Sequence, residues 1–251
     1  MKIHPDFSLE GKLAVVTGGS SGIGAAIASM FADKGASVVI LDLKAELPEQ
    51  LAQKLGDDAT AVPVDVTDPE SASKAVEAVV ERHGRIDILV HSAGVVALDP
   101  AEDVTQSDWT KQIDVNLSGT FYVNQAVGKV MLGQGRGKII NMASQAGSIA
   151  LDQHAAYCAS KWGVIGLSKV LASEWAPKGI TVNTISPTVV LTELGKKAWA
   201  GEKGEAMKKL IPTGRFAEPE EIAAAAVFLA SNGSDMINGA DLVIDGGYTI
   251  Q

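Results

Sequence analysis

Tyr157 and Lys161 stand four residues apart in the run Tyr157-Cys158-Ala159-Ser160-Lys161. On a helix, that spacing brings both side chains to one face. A free phenol ionises at about pH 10, and an ammonium close by favours the phenolate and lowers that value. A tyrosine tuned in this way can accept a proton from an alcohol while hydride leaves the carbon. A second segment lies far upstream, Thr17-Gly18-Gly19-Ser20-Ser21-Gly22-Ile23-Gly24. Its glycines let the backbone turn tightly and approach a ligand. A helix beginning there offers free N–H groups to a pyrophosphate. One segment is suited to hold phosphate, the other to move a proton.

The glycine spacing is Gly-x-x-x-Gly-x-Gly, not the Gly-x-Gly-x-x-Gly of the commonest dinucleotide fingerprint. No Gly-Lys-Ser/Thr follows, so it is not a P-loop. Other polar residues fall where the two segments need them. Asp42 ends the second apolar run, about 20 residues past the glycines, where an acid accepts from ribose hydroxyls. Its charge would repel a 2′-phosphate and so favours NAD over NADP, with Lys44 nearby to soften the preference. Asp65-Val66 follows the third run, within reach of an adenine. Ser144 follows the fifth run, at the edge where α/β sheets place ligands, and its hydroxyl can hold a substrate oxygen. Asn116 sits inside a long helical pattern, where its amide competes for backbone partners and suggests a kink or a bound water. Gln145, Asp152 and His154 lie between Ser144 and Tyr157 and can reach neighbouring substrate hydroxyls. The alternative for Asp152 and His154 is that they merely cap the helix carrying Tyr157.

These residues need a frame. Short apolar runs at Leu13–Val16, Ser37–Leu41, Ala59–Val64, Ile86–Val90, Lys138–Met142, Ile180–Ile185 and Asp241–Ile244 read as strands. Helical patterns alternate with them at Gly22–Lys34, Asp68–His83, Asp108–Leu132, Ala155–Trp175 and Glu218–Ser231. Repeated strand-helix-strand units imply an α/β fold with a doubly wound parallel sheet, and no linker divides residues 1–251 into more than one domain. The stretch Val189–Pro212 shows no clear periodicity and reads as a mobile loop over the substrate.

Bulk properties narrow the partners. Of 251 residues, 46% are hydrophobic and 20% charged, as in a soluble protein with a real core. A formal net charge of −9 argues against nucleic acid and against an anionic membrane surface. Cys158 is the one cysteine, so no intrachain disulfide is possible, and it reads as a small buried residue rather than a catalytic thiol. Neither a signal peptide nor a membrane span is read, which makes a cytoplasmic location the expectation. No metal site is read either.

Taken together, Thr17 to Gly24, Asp42, Asp65-Val66, Ser92-Ala93-Gly94, Asn116, Ser144, Tyr157, Lys161, Pro187 and the ending Asp245-Gly246-Gly247 resemble the short-chain dehydrogenase/reductase family over about Leu9 to Ile250. The resemblance implies a Rossmann-type, seven-stranded sheet in the order 3-2-1-4-5-6-7, a nicotinamide cofactor and a homotetramer. It assigns a catalytic tetrad to Asn116, Ser144, Tyr157 and Lys161. Tyr157 is the general acid/base, Ser144 orients the substrate oxygen, Lys161 lowers the tyrosine pKa and binds ribose, and Asn116 holds a water. It places the cofactor on Gly18, Ser20, Ser21, Gly22, Ile23, Gly24, Asp42, Asp65, Val66, His91, Ser92, Ala93, Gly94, Pro187, Thr188, Val190 and Thr192. Within the family, Ile185 to Trp199, Met142-Ala143-Ser144-Gln145 and the last residues are similar to microbial polyol dehydrogenases of the D-threitol, D-arabitol, galactitol and glycerol type. Two departures stand out. His91 replaces an asparagine common in the family, and Thr188 replaces a glycine. The competing readings are a 3-oxoacyl thioester reductase, against which Asp42 and the net charge speak, and a nucleotide-binding regulatory subunit, which has no reason to keep the tetrad.

Overall fold

The computed structural model describes residues 7–43, 47, 49–56 and 59–250. Lys44 therefore lies outside the described residues. Seven strands form one parallel sheet: β1 (Leu13–Thr17), β2 (Ser37–Asp42), β3 (Thr60–Pro63), β4 (Ile88–His91), β5 (Gly137–Met142), β6 (Ile180–Pro187) and β7 (Asp241–Ile244). Their order is β3-β2-β1-β4-β5-β6-β7, as the resemblance implies. The direction of the chain reverses its walk across the sheet between β1 and β4, and this opens a crevice at their C-terminal ends.

Helices cover both faces, because successive side chains on a buried strand point opposite ways. Val16, Ile40, Val90 and Ile140 face α1 (Gly22–Asp33) and α9 (Pro219–Ala230), packing on Ile27, Phe31, Ala223 and Val227. Their neighbours Val15, Val39, Leu89 and Ile139 face the other way. There they meet α3 (Pro69–His83), α5 (Gly119–Gln134) and α6 (Ala155–Trp175) through Val76, Val127 and Leu171. A short α2 (Glu49–Leu55), which the sequence pattern did not announce, follows β2 and adds Leu51 and Leu55 to the first cluster.

The expected single helix over Asp108–Leu132 is divided into α4 (Gln106–Ile113), a π turn over Asp114–Ser118, and α5. The Gly119 N–H reaches back to the Asp114 carbonyl, so one residue is added to that turn. Asn116, buried at its centre, is the residue whose type signalled a break. A Cβ at Gly119 would come within 2.9 Å of Val66, so glycine allows the widened turn to approach the end of β3.

The stretch Val189–Pro212 is not an irregular loop. It contains α7 (Glu193–Ala198) and α8 (Glu202–Lys209). Thr192 caps α7, its hydroxyl accepting from the Gly195 N–H at 3.0 Å. Glycines at 195 and 204 hid the helical pattern, yet each is needed. A Cβ there would overlap the carbonyl of Val190 and of Trp199 respectively.

Candidate active site

A cleft of about 800 Å³ opens at the C-terminal edge of the sheet. Its lining includes Gly18, Asp42, Asp65, Ser144, Tyr157 and Lys161, drawn from both ends of the sequence. One end is the glycine turn. Gly18 and Gly22 have φ of 63° and 56°, in the left-handed region. A Cβ at Gly24 would overlap the Gly18 carbonyl oxygen, so the turn itself requires glycine there. Ser21 stands at the N-cap of α1 in extended conformation, but its side chain makes no capping bond. Asp42 reaches this turn from β2, accepting from the Ser20 N–H at 3.2 Å. At the next strand end, the Asp65 carboxylate accepts from both the N–H and the hydroxyl of Thr67 (2.9 and 2.7 Å). Those bonds hold its pKa below the usual carboxylate range.

At the opposite end, α6 presents Tyr157 and Lys161 side by side, with the lysine nitrogen 5.6 Å from the centre of the phenol ring. Lys161 is buried and donates to the Met142 carbonyl at 2.7 Å. Ser144, just past β5, accepts from the Ala146 N–H at 3.1 Å. Burial pushes the Tyr157 pKa up, and the Ser144 hydroxyl beside the phenol opposes that shift without overcoming it. Burial therefore outweighs the lowering that the resemblance expects from Lys161. Burial also lowers Lys161 to about 8, so the ammonium still carries its charge at neutral pH.

Asn116 does not line the cleft. Its amide forms a reciprocal pair with the Val95 backbone (2.8 and 2.9 Å) and donates its second hydrogen to Ser160 at 3.1 Å. Both amide hydrogens are committed, so any water held by this residue must donate to one of its oxygens. Ser160 in turn donates to the Tyr157 carbonyl at 2.7 Å. Asn116 thus ties the Val95 segment to the helix that carries the tyrosine.

Ser92, Ala93, Gly94, Pro187, Thr188 and Thr192 all border the cleft. Ser20 and Gly22 sit within the turn, but outside the lining. Val190 belongs elsewhere, buried and bridged to Ala217, because its backbone anchors the start of the α7 segment. Gln145 is buried beside Ser144 without lining the cleft, and Asp152 is exposed. His154 packs edge-on to Tyr157, with ring centres 6.0 Å apart, while its Nδ1 lies 2.6 Å from the Asp152 carbonyl. The helix start at His154 has no side-chain capping bond, so capping does not account for it. Sequence reasoning missed Thr67, Val95, Lys111 and Leu194, which also line the cleft. Only Thr67 carried a signal, a hydroxyl two residues past Asp65.

The residues present fit a dinucleotide. Among the described residues, Ser20 Oγ and Thr188 Oγ1 are buried without a hydrogen-bond partner. Ser20 belongs to the uncapped glycine turn, and Thr188 lines the cleft at the far end. Buried polar atoms are rarely left so unless a ligand or water meets them.

Residues 18–249 match a family model described as enoyl-(acyl carrier protein) reductase. The chain belongs to the short-chain dehydrogenase/reductase family. It is an oxidoreductase, of a family that uses nicotinamide cofactors. It is 64% identical to a D-threitol dehydrogenase of Mycolicibacterium smegmatis, covering 100% of this chain and 98% of that one. It is 53% identical to an NAD-dependent glycerol dehydrogenase of Listeria innocua, over 98% and 97% of the two chains. A gluconate 5-dehydrogenase from Burkholderia cenocepacia, solved with NADP and tartrate, superposes with a TM-score of 0.93 at 36% identity over 98% of each chain. No described helix is long and apolar enough to cross a membrane.

Proposed function

We propose that this oxidoreductase oxidises a secondary alcohol of a small polyol, of the D-threitol type, to the ketose, with NAD as the hydride acceptor. The observation that carries the reading is the convergence of Ser144, Tyr157 and Lys161 at one end of a cleft whose other end holds Asp42. The likeness to threitol and glycerol dehydrogenases supports the substrate class.

Bound NAD supplies the electrophilic carbon that accepts hydride. Ser144 holds the substrate oxygen, and the Tyr157 phenolate takes the hydroxyl proton as the C–H pair departs. Lys161 holds positive charge beside the phenol and would hydrogen-bond the nicotinamide ribose. The uncapped start of α1 would hold the pyrophosphate. Asp42 would accept from the adenosine ribose and repel a 2′-phosphate. His154, packed edge-on to Tyr157, takes a further substrate hydroxyl. Assembly into a homotetramer is supported by the exposed apolar side chains Trp109, Phe121, Trp162 and Val170 on α4, α5 and α6. Light scattering measures it.

The test is a panel of threitol, arabitol, galactitol and glycerol, with the matching ketoses, assayed with each coenzyme. NADH should form fastest with a tetritol and NAD. Tight NADH binding without turnover of any polyol would sink the substrate reading and leave the cofactor reading intact.

A further inference from the structure

His91 ends β4 at the centre of the sheet, in register with Thr17 on one side and Asn141 on the other. It is 2% exposed. Its Nδ1 lies 3.1 Å from the Thr17 hydroxyl, and its Nε2 is buried without a partner.

The protonation of this ring follows from counting. The Thr17 hydroxyl has one hydrogen and two lone pairs. It accepts from the Ser92 N–H at 3.0 Å and from the Ala93 N–H at 3.2 Å. Backbone N–H groups only donate, and although the Ser92 N–H is shared with the Thr17 main-chain carbonyl at 3.3 Å its shorter contact is to the hydroxyl, so both lone pairs are engaged. The single hydroxyl hydrogen is left for His91, whose Nδ1 must therefore be the acceptor. The ring is neutral, with its proton on Nε2. Burial, aided by the charge of Lys161, lowers the pKa of His91 to about 3 and agrees with this.

What the bond accomplishes is directional. If the Thr17 hydroxyl were free to rotate, its lone pairs would not be fixed on the two N–H groups. Those groups begin the Ser92-Ala93-Gly94 turn, which lines the cleft. A Cβ on Gly18 would come within 3.0 Å of the Ala93 backbone, so the turn lies directly against the glycine cradle. A Cβ on Gly94 would lie 3.3 Å from Asn116 Oδ1 and 3.7 Å from Lys161 Nζ. Beyond it, Asn116 grips the backbone of Val95. The segment is thus held at one end by Thr17 and at the other by Asn116.

We infer that His91 is a positioning residue for the nicotinamide cofactor: as a neutral acceptor it orients the Thr17 hydroxyl, and through it the turn on which the cofactor lies. An asparagine can serve the same purpose, since its Oδ1 is as many bonds from the backbone as Nδ1 of histidine. A leucine of similar size offers no acceptor. The inference rests on cofactor binding in this cleft, not on which polyol is oxidised.

The test has two arms. NADH affinity is read by fluorescence for wild type, His91→Asn, His91→Leu, Thr17→Val and the double variant His91→Leu/Thr17→Val. His91→Asn should bind within about twofold of wild type, whereas His91→Leu should bind about tenfold more weakly, as for a lost buried hydrogen bond. The double variant should be no worse than Thr17→Val alone. Equal affinity of the Leu and Asn variants, or fully additive losses, would overturn the inference. The second arm needs no variant to fold. Nitrogen NMR of wild type should show Nδ1 as the unprotonated nitrogen, and a proton on Nδ1 at neutral pH would also overturn it. If wild type itself fails to bind NADH, the cofactor reading fails first, and the NMR result still decides the state of His91.

Discussion

Two buried edges of the same sheet use the same residue types in opposite ways. At the N-terminal edge, Asp87 precedes β4 and is fully engaged. It accepts from the Leu13 N–H at 2.8 Å and pairs with Arg85, with Arg136 at 3.8 Å. At the C-terminal edge, Asp42 ends β2 with a single 3.2 Å bond from Ser20 and borders the cleft. The helix starts repeat the contrast. Asp68 caps α3 by accepting from the Glu70 N–H at 2.9 Å, and Pro69 fills the first helical position. Ser21 leaves α1 uncapped. Groups with internal partners hold the fold, and groups without them are available to a ligand. A carboxylate or a helix start thus declares its role by whether the protein itself satisfies it.

The largest effect should come from the centre of the cleft. Tyr157→Phe should lower kcat by about a thousandfold, the scale of a lost general base, with NADH affinity within about twofold. Substantial retained turnover would remove Tyr157 from the proposed mechanism. Asp42→Ala should shift the NAD/NADP ratio of kcat/KM by about tenfold or more toward NADP, with little change in stability. An unchanged ratio would mean that Asp42 is not a ribose ligand, and the contrast with Asp87 would lose its functional half.

The pH profile sharpens the same point. Alcohol oxidation needs the deprotonated phenol, and burial raises the Tyr157 pKa above its usual value. The base form is therefore the minor form at neutral pH and grows as pH rises. Oxidation kcat/KM should climb by up to about tenfold per unit between about pH 7 and 9, and ketose reduction should not. A flat oxidation profile would argue against a buried phenol as the base.

Asp87→Ala should behave in the reverse sense. Losing its buried hydrogen bond and ion pair should cost about 2–3 kcal/mol in denaturant unfolding, while KM for the coenzyme stays constant. The smallest effects compare the two helix starts. Asp68→Ala should cost about 1 kcal/mol, whereas Ser21→Ala should leave stability unchanged within error. Equal losses would show that Ser21 caps α1 after all.

Much of this was legible along the chain. Strand and helix patterns followed from apolar runs and their periods, and the helix carrying Tyr157 began and ended where the pattern said. Asn116 announced its break because an amide is a poor mid-helix residue. Two of the elements that were missed share a cause. In α7 and α8, glycines forced by backbone contacts displaced the apolar positions that mark a helix. Val190 was placed by the resemblance and Gln145 by its position after Ser144, but the burial of Val190 depends on Ala217, far away in sequence.

By itself, the sequence determined the sheet, the glycine turn, and the four-residue spacing that sets Tyr157 beside Lys161, because these depend on local periodicity and backbone sterics. Only the tertiary structure decided the electrostatics. Whether the phenol is depressed or raised, which partner meets the His91 ring, and which carboxylate keeps only one partner all depend on burial and groups supplied by elements distant along the chain. Desolvation is a property of the packed molecule, and no spacing of residues encodes it.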